Sequence, residues 1–474
     1  MGISLRRNSY SAPPILRAMM SRSSPGRMGI ISGRGMSRPS PRRSSATSTA
    51  IITEEGRCEA TSPDTGASLR SSGLIMAARR IATAMKQLHK TTNRAIGAPR
   101  TSLRRLWRAV RAVRGFGRGM LDYPAAWFGL FRPRDELAAA VAELLVVGFY
   151  GANARSPSAR LLARQVQRGQ VGGVFFVTQN IGTIDELADL IRLFRAGDNQ
   201  PLIAIDHEGG VVQRLTPAHG VRRLPAARTV AETLSPTEAR QLYAKAGREL
   251  AALGFNINLG PVLDVDDPEN PVIGRPKRSY GTDPERIAAY AESFASGFAS
   301  AGILCAAKHF PGHGRSTSDS HSGVVDISAR WTEAELEPFS RLFVSPHVPA
   351  IVMTGHLCLE HLAPDGRPAT VSAPIVTDLL RQKLGYRGVV MTDDVDMDAI
   401  RHLMSRREAV VQALAAGNDL IMIKNLFGYD PLLPDRAVRW VRKAIAQGVL
   451  TEAQITAAVA RVRAIRRQAW QDRA

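Results

Sequence analysis

The chain has 474 residues, 44% of them hydrophobic and 22% charged, so it holds enough apolar side chain for a sizeable core and wholesale disorder is excluded. Cys58, Cys305 and Cys358 are too few and too scattered for a disulfide framework or a four-cysteine zinc site, and no apolar run approaches the roughly 18 residues of a membrane-spanning helix. The net charge of +21 is localised: residues 1–134 hold 25 of the 63 basic and 5 of the 42 acidic residues, a net of +20, which leaves 38 against 37 in residues 135–474.

Residues 1–72 are rich in Ser, Arg, Gly and Pro, as in Ser37-Arg38-Pro39-Ser40-Pro41-Arg42-Arg43. They show no sustained apolar period, so too little surface can be buried to offset chain entropy, and a disordered extension is expected. Arg6 and Arg7 are followed by no continuous apolar stretch, as a secretory signal would require. Residues 73–134 read as a basic helical segment. Within 102–118, Leu103, Leu106, Trp107, Val110 and Val113 share one helical face, with Arg104, Arg105, Arg108, Arg111 and Arg114 mostly opposite. This pattern fits an interfacial helix on an anionic membrane, and equally a helix packed on the main domain with a solvated basic face. Nucleic acid is the less favoured partner, because no recognised binding module accompanies the charge. With no signal peptide and no paired cysteines a cytoplasmic location is expected, peripheral on the inner membrane if the helix is interfacial.

From residue 135 onward, short β-branched runs alternate with capped helices. Strands are expected at Val171–Val177, Pro201–Ile205, Phe255–Leu259, Ile303–Ala307, Ala350–Thr354, Gly388–Thr392 and Asp419–Ile423. Thr183 with Glu186, Thr332 with Glu335 and Thr451 with Gln454 have capping-box spacing. Ser235-Pro236 and Asp283-Pro284 put a cap residue before a proline at the first helical position. Apolar strands separated by helices imply a parallel sheet covered on both faces. The repeat number favours an α/β fold of the (β/α)8 TIM-barrel type, residues 135–474, over an open doubly wound sheet, and no glycine-rich dinucleotide turn is present.

Functional groups of such barrels lie beyond the C-terminal strand ends. Asp206-His207-Glu208-Gly209-Gly210 follows Ile205, Lys308-His309 follows Ala307, Gly355-His356 follows Thr354, and Asp393-Asp394 follows Thr392. One polar residue after a strand is commonly a helix cap, but four strands delivering polar groups to one rim mark a candidate active site. The histidines of Lys308-His309-Phe310-Pro311-Gly312-His313-Gly314 and Asp319-Ser320-His321 have no ligand-pair spacing and no cysteine beside them, so no metal and no cofactor is expected. An aspartate two residues before a histidine can accept the ring N–H and raise its basicity, which makes His321 a candidate proton shuttle oriented by Asp319. Asp393 is the natural carboxylate partner. Asp394, Asp396 and Asp398 are too crowded for all to be equivalent. A carboxylate and an acid/base on separate loops suit displacement at an acetal carbon.

Asp206 to Arg214, the Lys308 to His321 segment and Met391-Thr392-Asp393-Asp394 together resemble glycoside hydrolase family 3, and more narrowly its β-N-acetylhexosaminidase branch of peptidoglycan recycling. The likeness runs from about residue 137 to 467. It implies a retaining exo-β-N-acetylglucosaminidase acting on a carbohydrate substrate, with Asp393 as nucleophile and His321 with Asp319 as the acid/base dyad. Asp206, Arg214, Arg278, Lys308 and His309 fall at the family's sugar-binding positions, with Arg275 the alternative to Arg278. Phosphorolysis and β-glucosidase activity are the same-chemistry alternatives, and a non-catalytic sugar-binding scaffold is the non-enzymatic one. His207 and Val211 stand where the family usually has Gln and Arg, and Ser322–Asp326 lacks the usual proline.

Overall fold

The computed structural model describes residues 135–318, 323–364 and 366–471, together with the single residue Ala126. The expected extension over 1–72, the amphipathic stretch 102–118 and the pair Asp319 and His321 lie outside the described residues.

Eight parallel strands make up the central sheet: β1 Leu145–Val147, β2 Gly173–Phe176, β3 Leu202–Ile205, β4 Ile257–Asn258, β5 Leu304–Phe310, β6 Ile351–Thr354, β7 Val389–Thr392 and β8 Ile421–Ile423. Strands β1 to β7 pair in chain order, and β1 also pairs with β8. The ring closes between β7 and β8, where Met391 bridges Leu420, the Thr392 N–H donates to the Leu420 carbonyl, and the Met422 N–H donates to Thr392 Oγ1. This is the expected (β/α)8 barrel. Seven strands coincide with the expected runs. The eighth, β1, follows the helix Glu136–Glu143 after a single residue, so no turn signal announces it.

All eight strands are buried from end to end, because helices cover the outside while side chains fill the inside. Tyr243, Phe294 and Phe298 pack together between the helices Pro236–Leu253 and Pro284–Ala299. Thr183 and Thr451 form the expected capping boxes, and Ser235 adds another with Glu238. Thr332 does not. Its side chain makes no cap hydrogen bond, and Glu335 turns inward to full burial under the loop after β5. Spacing locates a helix start but does not say whether the carboxylate faces water or the core.

The helix before β1 and the final described helix are tied together at the N-terminal face of the barrel. Arg463 and Arg466, on the final helix Glu452–Gln471, both pair with Glu143 at 2.7 Å. Asp419, before β8, is fully buried between Arg381 at 2.6 Å and Arg461 at 2.8 Å. Buried pairs at this face serve stability and leave the opposite face to chemistry.

Candidate active site

Three local devices bring the polar rim together. After β3 the chain makes a two-stranded hairpin, His207–Gly209 against Val212–Gln213, which returns Arg214 to Asp206 eight residues earlier. Gln213 braces it through three backbone hydrogen bonds, to the carbonyls of Leu215 and Arg222 and from the N–H of Leu224. In β5 the register against β6 shifts between Ala307 and Phe310, so Lys308 and His309 lie inside the strand at an irregularity rather than beyond its end. Such a bulge re-aims side chains, here toward the barrel mouth. The third device is the loop from Asp264 to Arg278. Asn270 at its centre donates to the carbonyls of His313 and Gly314, both at 2.7 Å, and accepts from Val272 and Ile273 N–H.

The glycines of Pro311-Gly312-His313-Gly314 then have a reason. A Cβ on Gly314 would run into the Val265 carbonyl, and one on Gly312, at φ +120°, would meet Glu335 Cβ at 2.6 Å. Only glycine allows that approach and that backbone conformation.

A cavity of about 140 Å³ opens among these elements, lined by Asp206, Arg214, Arg278, Lys308, His309 and Asp393 together with His313, Asp394 and Lys424. Six of the residues expected at the site are thus brought to one place from β3, the Asp264–Arg278 loop, β5 and β7. Arg275 is exposed on the surface, while Arg278 lines the cavity.

The charges on one side are interlocked. Lys308 Nζ lies 3.0 Å from Asp206 and 2.7 Å from Glu208, Arg214 binds Asp206 at 2.8 Å, and Arg278 grips Glu208 with two hydrogen bonds of 2.7 and 2.8 Å. Burial alone would raise the Asp206 carboxyl, but Lys308 and Arg214 overcome it and hold the group far below the usual carboxylate range. Glu208 is likewise lowered, against burial, by Arg278 and Lys308. The same carboxylates keep Lys308 above its ordinary value in spite of burial. Fixed, ionised and oriented, such groups bind neutral hydroxyls strongly and penalise a ligand that lacks them.

Asp264 has a role that its sequence context leaves open. Its Oδ2 accepts from His309 Nδ1 at 2.7 Å, and its Oδ1 accepts the N–H of His309 at 3.1 Å and of His313 at 2.8 Å. Burial would raise this carboxyl, yet the histidines hold it down at about 2. An ionised acceptor holds a proton on His309 Nδ1 and orients the ring. Asp266 instead pairs with Arg228.

The aspartates after β7 separate by environment. Asp393 is half-buried on the cavity wall, and its Oδ1 accepts the Asp394 N–H at 2.7 Å. Asp394 is buried and accepts the N–H of Asp396 and Lys424. Burial and the neighbouring Asp396 push it up to about 7. Asp396 is gripped by Arg406 at 2.7 and 2.8 Å, and Asp398 lies 3.3 Å from Arg401. His356 Nε2 lies 2.9 Å from the Asp394 carbonyl and Nδ1 2.9 Å from Thr370 Oγ1, so it braces this turn. His207 is fully buried and does not line the cavity, while Val211 is 68% exposed at the hairpin tip, so neither departure reshapes the wall.

Among the described residues no group of three or more His, Cys, Asp or Glu side chains could hold a metal ion, and no helix is long and apolar enough to cross a membrane.

The family model for the glycosyl hydrolase family 3 N-terminal domain matches residues 137–465. The beta-hexosaminidase LpqI of Mycobacterium tuberculosis is 37% identical over 309 residues, covering 63% of this chain and 75% of that protein. A beta-hexosaminidase of Nitrosomonas eutropha is 35% identical over 271 residues, covering 55% and 76%. Among solved structures, a family 3 beta-N-acetylglucosaminidase from Paenibacillus superposes with a TM-score of 0.64 at 34% identity, covering 72% of this chain and 64% of that one. The structure of M. tuberculosis LpqI gives 0.60 at 32% identity, covering 72% and 96%. With the barrel, the polar rim and these matches agreeing, the chain belongs to glycosyl hydrolase family 3.

Proposed function

We propose that the enzyme is a retaining exo-β-N-acetylglucosaminidase that removes terminal N-acetylglucosamine from peptidoglycan fragments or related oligosaccharides, with residues 135–474 as its catalytic domain. The observation that carries the reading is a half-buried Asp393 facing, across a cavity of about 140 Å³, the interlocked Asp206, Lys308 and Arg214. A cavity of that scale suits one terminal sugar rather than the interior of a long chain. The names of the family relatives support the N-acetylated sugar.

In this reading Asp206, Arg214, Arg278, Lys308 and His309 hold the sugar hydroxyls, directly or through the network they form. Asp393 attacks the anomeric carbon, the glycosidic C–O bond breaks, and a covalent glycosyl-enzyme forms. His321, as an imidazolium whose Nδ1–H is held by Asp319, gives its Nε2 proton to the leaving oxygen, and the neutral imidazole so formed then removes one from the attacking water, which releases the sugar with retained configuration. An imidazolium that becomes neutral on giving its proton is never an anion beside the nucleophile, so the like-charge repulsion of two carboxylates does not arise. Asp394 is less suited to attack, because it is buried, its Oδ1 accepts two backbone N–H groups, and burial favours its protonated form.

The test is turnover of 4-nitrophenyl N-acetyl-β-glucosaminide by the full chain in phosphate buffer. Release of free N-acetylglucosamine, abolished in Asp393→Ala, is the expected result. Preference for the β-glucoside would overturn the sugar assignment, and release of the sugar 1-phosphate would overturn hydrolysis. We further place the enzyme in the cytoplasm, with residues 102–118 as a contact for an anionic membrane face. Co-sedimentation with anionic vesicles, lost when Arg104, Arg105, Arg108 and Arg111 become Gln, is the matching observation.

A further inference from the structure

A helix on the outside of a barrel ordinarily buries one face, against the strands. The helix Pro157–Gln167, which follows β1, buries two. Ala159, Leu162, Ala163 and Val166 recur at helical spacing and join the barrel core. Ser158, Leu161 and Gln165, three and four residues apart, form a second stripe that is also buried. Neighbouring loops account for its two polar members: Ser158 Oγ accepts the Tyr150 N–H at 3.1 Å, and Gln165 Nε2 donates to the Pro431 carbonyl at 2.9 Å. Leu161 lies between them and is fully buried, yet it packs apart from the barrel core, in a small apolar cluster with Ala126 and the half-buried Leu432. Ala126 is itself helical and only 2% exposed. An alanine is buried against a leucine only where the two backbones come close, toward the lower end of the roughly 8–10 Å spacing of packed helices.

The sequence around Ala126 has the pattern such a contact needs. Tyr123, Ala126, Trp127 and Leu130 stand at i, i+3, i+4 and i+7, an apolar stripe with the small residue inside it, and Pro124 and Pro133 bracket it with start and stop signals. Chain length agrees. Asp135 is ion-paired with Arg442 of the helix Leu433–Ala446, and Leu432 immediately precedes that helix. Leu432 to Arg442 spans about 15 Å of helix. The nine residues from Ala126 to Asp135 reach at most about 30 Å, so the chain can follow that helix from one contact to the other. We infer that Ser158, Leu161 and Gln165, with Leu432, form a docking surface for the chain's own residues 122–131, with Ala126 at its centre. Docking takes Trp127 away from any membrane and leaves residues 102–118 as the stretch that can reach one.

The experiment is hydrogen–deuterium exchange of the full chain, read by mass spectrometry on peptides covering residues 122–131. Their amides are expected to exchange about tenfold or more below the free-chain rate. Leu161→Asp is expected to release that protection while the barrel strands keep theirs. A complementary pair covers the case in which Leu161→Asp does not fold. Leu161→Ala leaves a cavity and is expected to lower Tm by roughly 5 °C, Ala126→Leu overfills the contact and lowers it too, and the double variant regains part of the loss. Free-chain exchange over 122–131 in the wild type, or additive Tm losses in the double variant, would overturn the inference. Protection that grows with protein concentration would assign the surface to a second copy of the chain, and protection that appears only with anionic vesicles would assign Trp127 to the membrane. Either result also overturns it.

Discussion

Glu335 offers a test of the fold's electrostatics in which sign and size can both be worked out. The side chain is fully buried beneath Gly312, its Oε2 accepts a long 3.4 Å hydrogen bond from the Val265 N–H, and Oε1 has no hydrogen-bond partner among the described residues. Burial, and then the nearby Asp264 anion, push its carboxyl from 4.5 up to about 8. A folded-state value above the unfolded one means that the folded protein binds this proton more tightly. Its contribution is fully present below about pH 4.5 and is lost progressively as the pH rises to about 8. One pH unit inside that window corresponds to at most about 1.4 kcal/mol, so from pH 5.5 to pH 7.5 the wild type loses on the order of 2–3 kcal/mol through this group. Glu335→Gln keeps the neutral shape and removes the titration. Urea unfolding of both proteins across that range is therefore expected to show the variant gaining on the wild type as pH rises. Parallel stability curves would refute the reasoning, because they would mean that Glu335 ionises as readily folded as unfolded.

Lys308→Met leaves Asp206 and Glu208 buried with one positive neighbour each, and is expected to destabilise the fold by about 3–5 kcal/mol, read as a fall in Tm. Asp264→Asn removes the acceptor that orients the His309 ring, and kcat/KM on the 4-nitrophenyl substrate is expected to drop roughly 10- to 100-fold while the far-ultraviolet circular dichroism stays unchanged. Gly314→Ala forces a methyl group against the Val265 carbonyl, so the Asn270 hydrogen bonds to the loop cannot all survive; a loss of activity at unchanged Tm locates the damage in the loop.

Much of the barrel is legible in the sequence because its strands are short apolar runs bounded by polar residues, and period and punctuation therefore coincide. Strand β1 escapes because Leu144 to Val147 continues the apolar text of the preceding helix with no glycine, proline or cap between them. The site is legible where its residues follow strands, as at Asp206 and Asp393. It is illegible where function depends on which way a side chain turns. Thr332 and Glu335 have the spacing of a capping box, but packing under Gly312 outweighs the cap and draws the carboxyl inside. Asp264 stands among hydrophobic residues with no motif of its own, and only the fold shows that it holds two histidine segments at once. The pairing of Arg278 rather than Arg214 with Glu208 is set by the hairpin after β3, a contact between segments 70 residues apart.

The central claim is that Asp393 forms a covalent bond to the sugar during hydrolysis. It is tested most directly by inactivating the full chain with a 5-fluoro N-acetylglucosaminyl fluoride and mapping the labelled peptide by mass spectrometry. One fluoro-sugar mass on Asp393, absent from Asp393→Asn and lost on return to active enzyme, is the predicted result. A label on Asp394 or elsewhere, or an unlabelled enzyme that still turns over substrate with retained configuration, would contradict it.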